Sequence, residues 1–479
     1  MLFDSEPYLI FLPAVVAINW LIPSRFRPGF LLLVSYVFYA SWTPAYLLLI
    51  LLLTAFNYQV GLIQGRRLPR SRRLLLLAVV GNLAVLGTFK YLGWLDSSAL
   101  NAAHLLGLHW SPPLIQLVLP IGLSFFTFEF LHYQFDLYRG TEPITHPIRF
   151  ALFPAFFPTQ IAGPIKRYED FDEQVRERPA FSSPLFLEGI ELVALGLFKK
   201  IAIADGVARI ALLVALSPNH LTWTDAWIGA LAFYVQIYFD FSGYTDIARG
   251  SAQLLGYRIP INFNAPFLAS GLLQGWQRWH MSLTFWFRDY VFSPLASSRR
   301  EGWIRGRPRL VLALMTTTVL VGLWHGAGGG YLLWGFVMGL LMLIDRVLQV
   351  RVWRRLKRKR LAFYGRWLQT AVFVVISMPP FFAGLRGALR IWQGMILGGP
   401  HFGVVSPLDG LEVVGIYLAT IAIQVAVRRW KPREALASLD LSSLLRPAYV
   451  AGLATLAIYF AVTNLPGVTP ARGFIYFQF

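Results

Sequence analysis

Long apolar blocks alternate with short polar loops along almost the whole chain. The pattern predicts membrane helices over 7–22, 30–42, 46–63, 74–94, 115–136, 186–216, 226–248, 309–325, 330–349, 366–384, 411–428 and 447–464. That makes about eleven or twelve crossings, since a span needs roughly 20 apolar residues and shorter ones require tilt or local thinning. "FLLLVSYVFYASW" (30–42) and "YLLLILLLTAFNYQVGLI" (46–63) are separated by Thr43-Pro44, because proline disfavours helix at the residue before it. Two further apolar stretches, "FALFPAFFPTQIAGPI" (150–165) and "FNAPFLASGLLQGWQRWHMSLTFWF" (263–287), are interrupted by proline or glycine. They read as re-entrant or interfacial segments, which need protein or a water-filled cavity around their backbone. The expected architecture is an all-α polytopic bundle around a central funnel, forming one membrane-embedded domain over 1–479.

Composition agrees with the pattern. Of 479 residues, 56% are hydrophobic and only 14% charged, well below the quarter typical of soluble domains. With no cysteine there is no thiol nucleophile and no thiolate metal site. The beginning, "MLFDSEPYLIFLPAVV", carries acids where a signal peptide carries bases, and reads as a retained first span. The net charge of +19 lies in short loops: 24–28, 65–73, 166–170, 297–309, 351–360 and 428–434. Basic loops between apolar spans mark the cytosolic side. That leaves the N-terminus on the outer side of the membrane, and the charge faces lipid headgroups rather than nucleic acid.

Ionisable residues at membrane depth are costly and therefore candidates for function. They are Glu129, His132 and Asp136; Lys199, Lys200 and Asp205; Asp240 and Asp246; Arg278, His280, Arg288 and Asp289; His325; and Asp345. Asp136 with Arg139, and Arg288 with Asp289, read as structural ion pairs. Lys199 and Lys200 either snorkel to the headgroups or line a port for a phosphorylated substrate. Asp240, with Ser242 and Gly243, either orders a helix junction or borders a polar path. His132 and His280 are either core histidines or site residues. No acids or histidines fall at metal-ligand spacing such as His-x-x-x-His, so no metal is expected.

His325 differs from these. "GLWHGAGGG" (322–330) lies between "LVLALMTTTVLV" and "YLLWGFVMGLLMLI", with no acid within ten residues on either side. Its glycines permit an open channel, or equally a tight packing of helices.

The chain resembles the membrane-bound O-acyltransferases, in the bacterial branch that holds the alginate O-acetyltransferase membrane subunit and the teichoic-acid D-alanyl transferase. The matching blocks are "FKYLGW" (89–94), "LPIGLSFFTFEFLHYQFDLYRG" (119–140), "FFPTQIAGPIKRYEDF" (156–171), "GLFKKIAIAD" (196–205), "QIYFDFSGYTDIARG" (236–250), "NFNAPF" (262–267), "WQRWHMSLTFWFRDYVFSPL" (276–295) and "GLWHGAGGGYLLWG" (322–335). Their order over a core of about 89–349 makes the resemblance specific. It implies that His325 is essential for transfer and that His280 is a second site residue. It also implies a donor and acceptor tunnel near Trp324, Gly326, Asp240, Ser242, Arg278, Trp279, Glu129 and His132. Two positions depart from the family pattern. "AGGG" follows the histidine where relatives carry a bulkier pair, and Glu129 and His132 stand where small polar residues are commoner.

Such an enzyme needs a base for a weakly acidic hydroxyl. An imidazole, with an ordinary pKa of about 6.5, suits that task at neutral pH. There is no Gly-x-Ser-x-Gly elbow to act instead. Acetyl-coenzyme A is the expected donor, a substrate rather than a bound cofactor, with Lys199, Lys200, Lys166 and Arg167 as candidates for its phosphates. The acceptor is expected to be a periplasmic partner acyltransferase or a polysaccharide hydroxyl. D-alanyl transfer from a phosphopantetheine carrier protein is the alternative, and a polysaccharide transporter or assembly subunit is the non-enzymatic rival.

Overall fold

The computed structural model describes residues 1–42, 44–67, 69–107, 117–217, 220–297, 306–430, 451–453 and 455–456. Every regular element among these residues is helical. Five helices among the described residues are long and apolar enough to cross a membrane: Pro44–Arg66, Arg72–Leu105, Arg307–His325, Gly329–Arg355 and Pro407–Arg429. A bent pair, Lys359–Ser377 and Pro379–Leu397, makes a sixth span if counted as one, with a 64° angle at the break. The protein is an all-α, multi-pass membrane protein. Other expected crossings are shorter or carry charge, such as the 16-residue helix Glu6–Leu21 and the long helix Trp223–Leu254 with its interior acids. The one expected over 447–464 falls largely outside the described residues.

Proline does much of the punctuation. Pro44 and Pro407 each open a helix, where the missing N–H costs nothing. Pro379 and Pro380 start the second half of the bent pair, and Gly384 (φ +65°) kinks it again.

The chain forms two compact units. The first comprises 1–193 and 247–260, the second 194–246 and 261–479. In the first unit, the helix Leu123–Arg139 is buried along most of its length. Lys166 meets Glu129 there at 2.8 Å and Thr159 at 2.6 Å, and its ammonium lies over the rings of Phe153 and Phe171.

In the second unit the helices Arg307–His325 and Gly329–Arg351 form a hairpin. A Cβ on Gly322 would run into the Tyr331 carbonyl, and one on Gly335 into that of Thr318. Gly330 packs as closely on the Pro380 carbonyl. These glycines therefore serve close helix packing, the second of the two roles open to them in the sequence. The expected re-entrant stretch 263–287 is a series of short pieces: a turn at Pro266–Leu268, then the helices Leu272–Trp276 and Met281–Phe287.

Candidate active site

His325 is the last residue of its helix, and Gly326 leaves that helix in an extended conformation. The imidazole is buried among aromatic rings. Trp324 lies at 4.8 Å between centroids, Phe381 at 5.0 Å and Trp334 at 5.4 Å. His280 comes from the broken segment and sits just before the helix Met281–Phe287 in a left-handed conformation, φ +42° and ψ +54°. That backbone is unfavourable for a residue with a Cβ, and such strain persists only where neighbours impose it. Here the loop around Asn262 does so. Its carbonyl accepts the Met281 N–H at 3.0 Å, its side chain accepts from Ser282, and Asn264 donates to the Arg278 carbonyl. The His280 ring lies 4.6 Å from Phe241 and 6.0 Å from Trp324, so Trp324 touches both histidines.

Both histidines line one chamber of about 940 Å³, a figure that includes its open mouth. Its wall is almost wholly apolar and rich in aromatic rings: Tyr234, Phe267, Trp276, Trp279, Trp334, Trp367, Phe381 and Tyr417. Tyr234 and Ile237 project from one face of Trp223–Leu254, and Phe241 one turn further on reaches His280. Along Lys359–Ser377 the wall continues through Trp367, Thr370, Ala371 and Val374 to Met378 just past the helix end, a stripe about 16 Å long at 1.5 Å per residue. Asp345 fastens another part of the wall. Its carboxylate accepts the Leu272 N–H at 3.2 Å and the Gln369 amide at 2.8 Å, securing the start of the helix Leu272–Trp276.

The other expected site residues divide. Trp279 is on the chamber wall, stacked on Tyr234. Trp324 borders both histidines, and Gly326 forms the turn beside them, where a Cβ would strike the Tyr331 ring. Arg278 makes a long hydrogen bond to the Ala265 carbonyl and does not line the chamber. Asp240 and Ser242 are also absent from the wall; Asp240 pairs instead with Lys200 at 2.8 Å. Lys200 is buried and also bonds Asp205 at 2.8 Å, while Lys199 pairs with Asp246. With Lys166 held by Glu129, three of the four expected phosphate ligands have their ammonium groups on carboxylates. That geometry gives a phosphate role no support for these three. Arg167 is half-buried. Glu129 and His132 belong to the first unit's core, where His132 packs against Phe153 and Tyr168, and neither is among the chamber residues.

Apart from Trp279, sequence reasoning missed the aromatic lining. Trp334 was in view, nine residues after His325 within the quoted block, but an aromatic residue on an apolar helix carries no local sign of facing a cavity.

The fold and site define a multi-pass membrane protein with an apolar chamber that carries two histidines on its wall. The pattern of the membrane-bound O-acyltransferase family matches residues 144–379. A probable alginate O-acetylase of Pseudomonas aeruginosa is 38% identical over 435 residues, 89% of this chain and 80% of that protein. A peptidoglycan O-acetyltransferase of Helicobacter pylori is 30% identical over 76% of this chain and 73% of its own. A teichoic acid D-alanyltransferase of Bacillus subtilis is 32% identical over 46% of this chain and 58% of its own. The chain belongs to the membrane-bound O-acyltransferase family, and it is an O-acyltransferase.

Proposed function

We propose that this enzyme transfers an acetyl group from acetyl-coenzyme A, taken up on the cytosolic face of the bacterial inner membrane, to a hydroxyl on the periplasmic side, with His325 as general base. The hydroxyl belongs to an exopolysaccharide or to a periplasmic partner acyltransferase. The observation that carries the reading is the placement of His325 and His280 on the wall of one apolar chamber. His325 takes the hydroxyl proton as oxygen attacks the thioester carbonyl, and returns a proton to the departing thiolate. A positioned base contributes about 10²–10⁴-fold, or about 3–5 kcal/mol. The apolar wall adds positioning and excludes water that would hydrolyse the thioester. His280, held in a strained conformation beside Trp324, positions the reacting groups.

The direction rests on where the charges lie. Arg307, Arg309 and the run 351–360 stand at one end of the Arg307–His325 and Gly329–Arg351 hairpin, and His325 at the other. At 1.5 Å per residue the first helix places them about 27 Å apart. The chamber stripe from Met378 back to Trp367 runs toward the basic end, so a polyanionic donor can keep its phosphates there and send only its thioester arm to His325. Acetyl is favoured over D-alanyl because the O-acetylase resemblance extends over 89% of the chain and the D-alanyltransferase resemblance over 46%.

The test is a donor panel on purified protein in liposomes, comparing labelled acetyl-coenzyme A with a D-alanyl-loaded carrier. Label is scored on the protein and on added polysaccharide. Wild type should turn over the coenzyme, and His325→Ala should lose at least 100-fold while purifying normally. A fully active His325→Ala enzyme removes the base assignment; turnover of the carrier alone removes the donor assignment.

A further inference from the structure

Acyl transfer needs more than a base. As the acceptor oxygen adds to the thioester carbonyl, the carbonyl oxygen becomes an anion, and a hydrogen-bond donor at that point stabilises the transition state more than the ground state. Several donors on the chamber wall are already engaged. The Trp367 indole N–H donates to the Phe267 carbonyl at 2.8 Å. The Thr370 hydroxyl donates to the Arg366 carbonyl at 2.7 Å, and that of Thr284 to the carbonyls of Trp276 and Trp279.

Trp334 is different. Its side chain is buried, and its indole N–H has no acceptor among the described residues. Three rings surround it: His325 at 5.4 Å and 89°, Phe381 at 5.1 Å and 78°, and Trp276 stacked at 6.2 Å and 22°. A buried donor without an acceptor is destabilising and uncommon in folded proteins. Trp334 lines the chamber beside His325, so a group bound in the chamber is the candidate acceptor.

We propose that the Trp334 indole N–H is a catalytic hydrogen-bond donor to the carbonyl oxygen of the acyl thioester. This rests on the reading of His325 as the base. The acceptor O–H gives its proton to the His325 imidazole, and its oxygen forms a bond to the carbonyl carbon. The carbonyl π pair moves onto oxygen, where the Trp334 N–H meets it. The pair then returns, the C–S bond breaks, and the thiolate takes the proton from the imidazolium. The products are an ester and a free thiol.

The test separates the N–H from the ring that carries it. Trp334 is replaced by β-(3-benzothienyl)alanine, which keeps the bicyclic shape with sulfur in place of N–H, and in parallel by Phe. Full-length protein in liposomes is assayed for kcat and for donor KM with labelled acetyl-coenzyme A, or with the D-alanyl-loaded carrier if wild type uses only that. Thermal unfolding of each variant is recorded. The expected result is a fall in kcat of about 100-fold for the benzothienyl variant, with KM within about twofold and unfolding unchanged. Wild-type kcat in that variant overturns the proposal, even if Trp334→Phe is dead, since the ring alone would then explain the loss. A raised KM at unchanged kcat also overturns it, because the N–H would then serve ground-state binding. A failure of the function reading shows separately, as an active His325→Ala enzyme.

Discussion

Replacing Lys200 with methionine tests whether this lysine serves the fold or a phosphate. Its ammonium bonds Asp240 and Asp205, both at 2.8 Å, from a side chain that is 2% exposed. The two carboxylates differ: the Asp240 side chain is 3% exposed and that of Asp205 is 39% exposed. Lys200→Met keeps the apolar stem and removes the charged end, so Asp205 remains solvated while Asp240 is left as a buried anion. Removing one partner of a buried pair costs about 3–5 kcal/mol, mostly from the stranded charge. Lys200→Met should therefore lower the unfolding temperature and the yield of folded protein sharply. The double variant Lys200→Met with Asp240→Asn leaves a neutral amide instead, and should recover more than half of that loss. Asp205→Asn alone should cost little, as its side chain reaches water. The assay is thermal unfolding in detergent, run alongside donor KM. The reasoning is refuted if Lys200→Met unfolds like wild type and raises donor KM about tenfold or more, the signature of a phosphate ligand.

Two other changes probe how the chamber is held. Asp345→Asn leaves one acceptor oxygen for two donors, the Leu272 N–H and the Gln369 amide. It should cost about 1–3 kcal/mol of stability and reduce kcat as the Leu272–Trp276 segment loosens; equal kcat and equal unfolding would exclude that fastening role. His280→Asn should relieve part of the left-handed strain, since Asn tolerates that conformation better. It should unfold no earlier than wild type yet transfer at least tenfold more slowly, and wild-type transfer rates would remove His280 from the site.

Much of this protein is determined locally. A chain with 56% hydrophobic residues and basic loops between apolar blocks has to be a membrane bundle, because hydrocarbon leaves the backbone no partner except itself. Proline and glycine mark where helices stop, and 263–287 breaks into short helices as its composition requires. His325 stood out because a polar side chain among apolar neighbours has no local cause. The tertiary structure decided the partners. Lys199 meets Asp246 and Lys166 meets Glu129 across separations of 47 and 37 residues. Helix packing sets such pairings, so the same lysines read equally well as phosphate ligands until the carboxylates are in place. The glycines around His325 were ambiguous for the same reason, and only the approach of Tyr331, Thr318 and Pro380 shows that they seat one backbone on another. The aromatic lining was the least legible feature. A tryptophan facing lipid, core or cavity follows the same helical period, and only the neighbouring helices determine which of the three it meets.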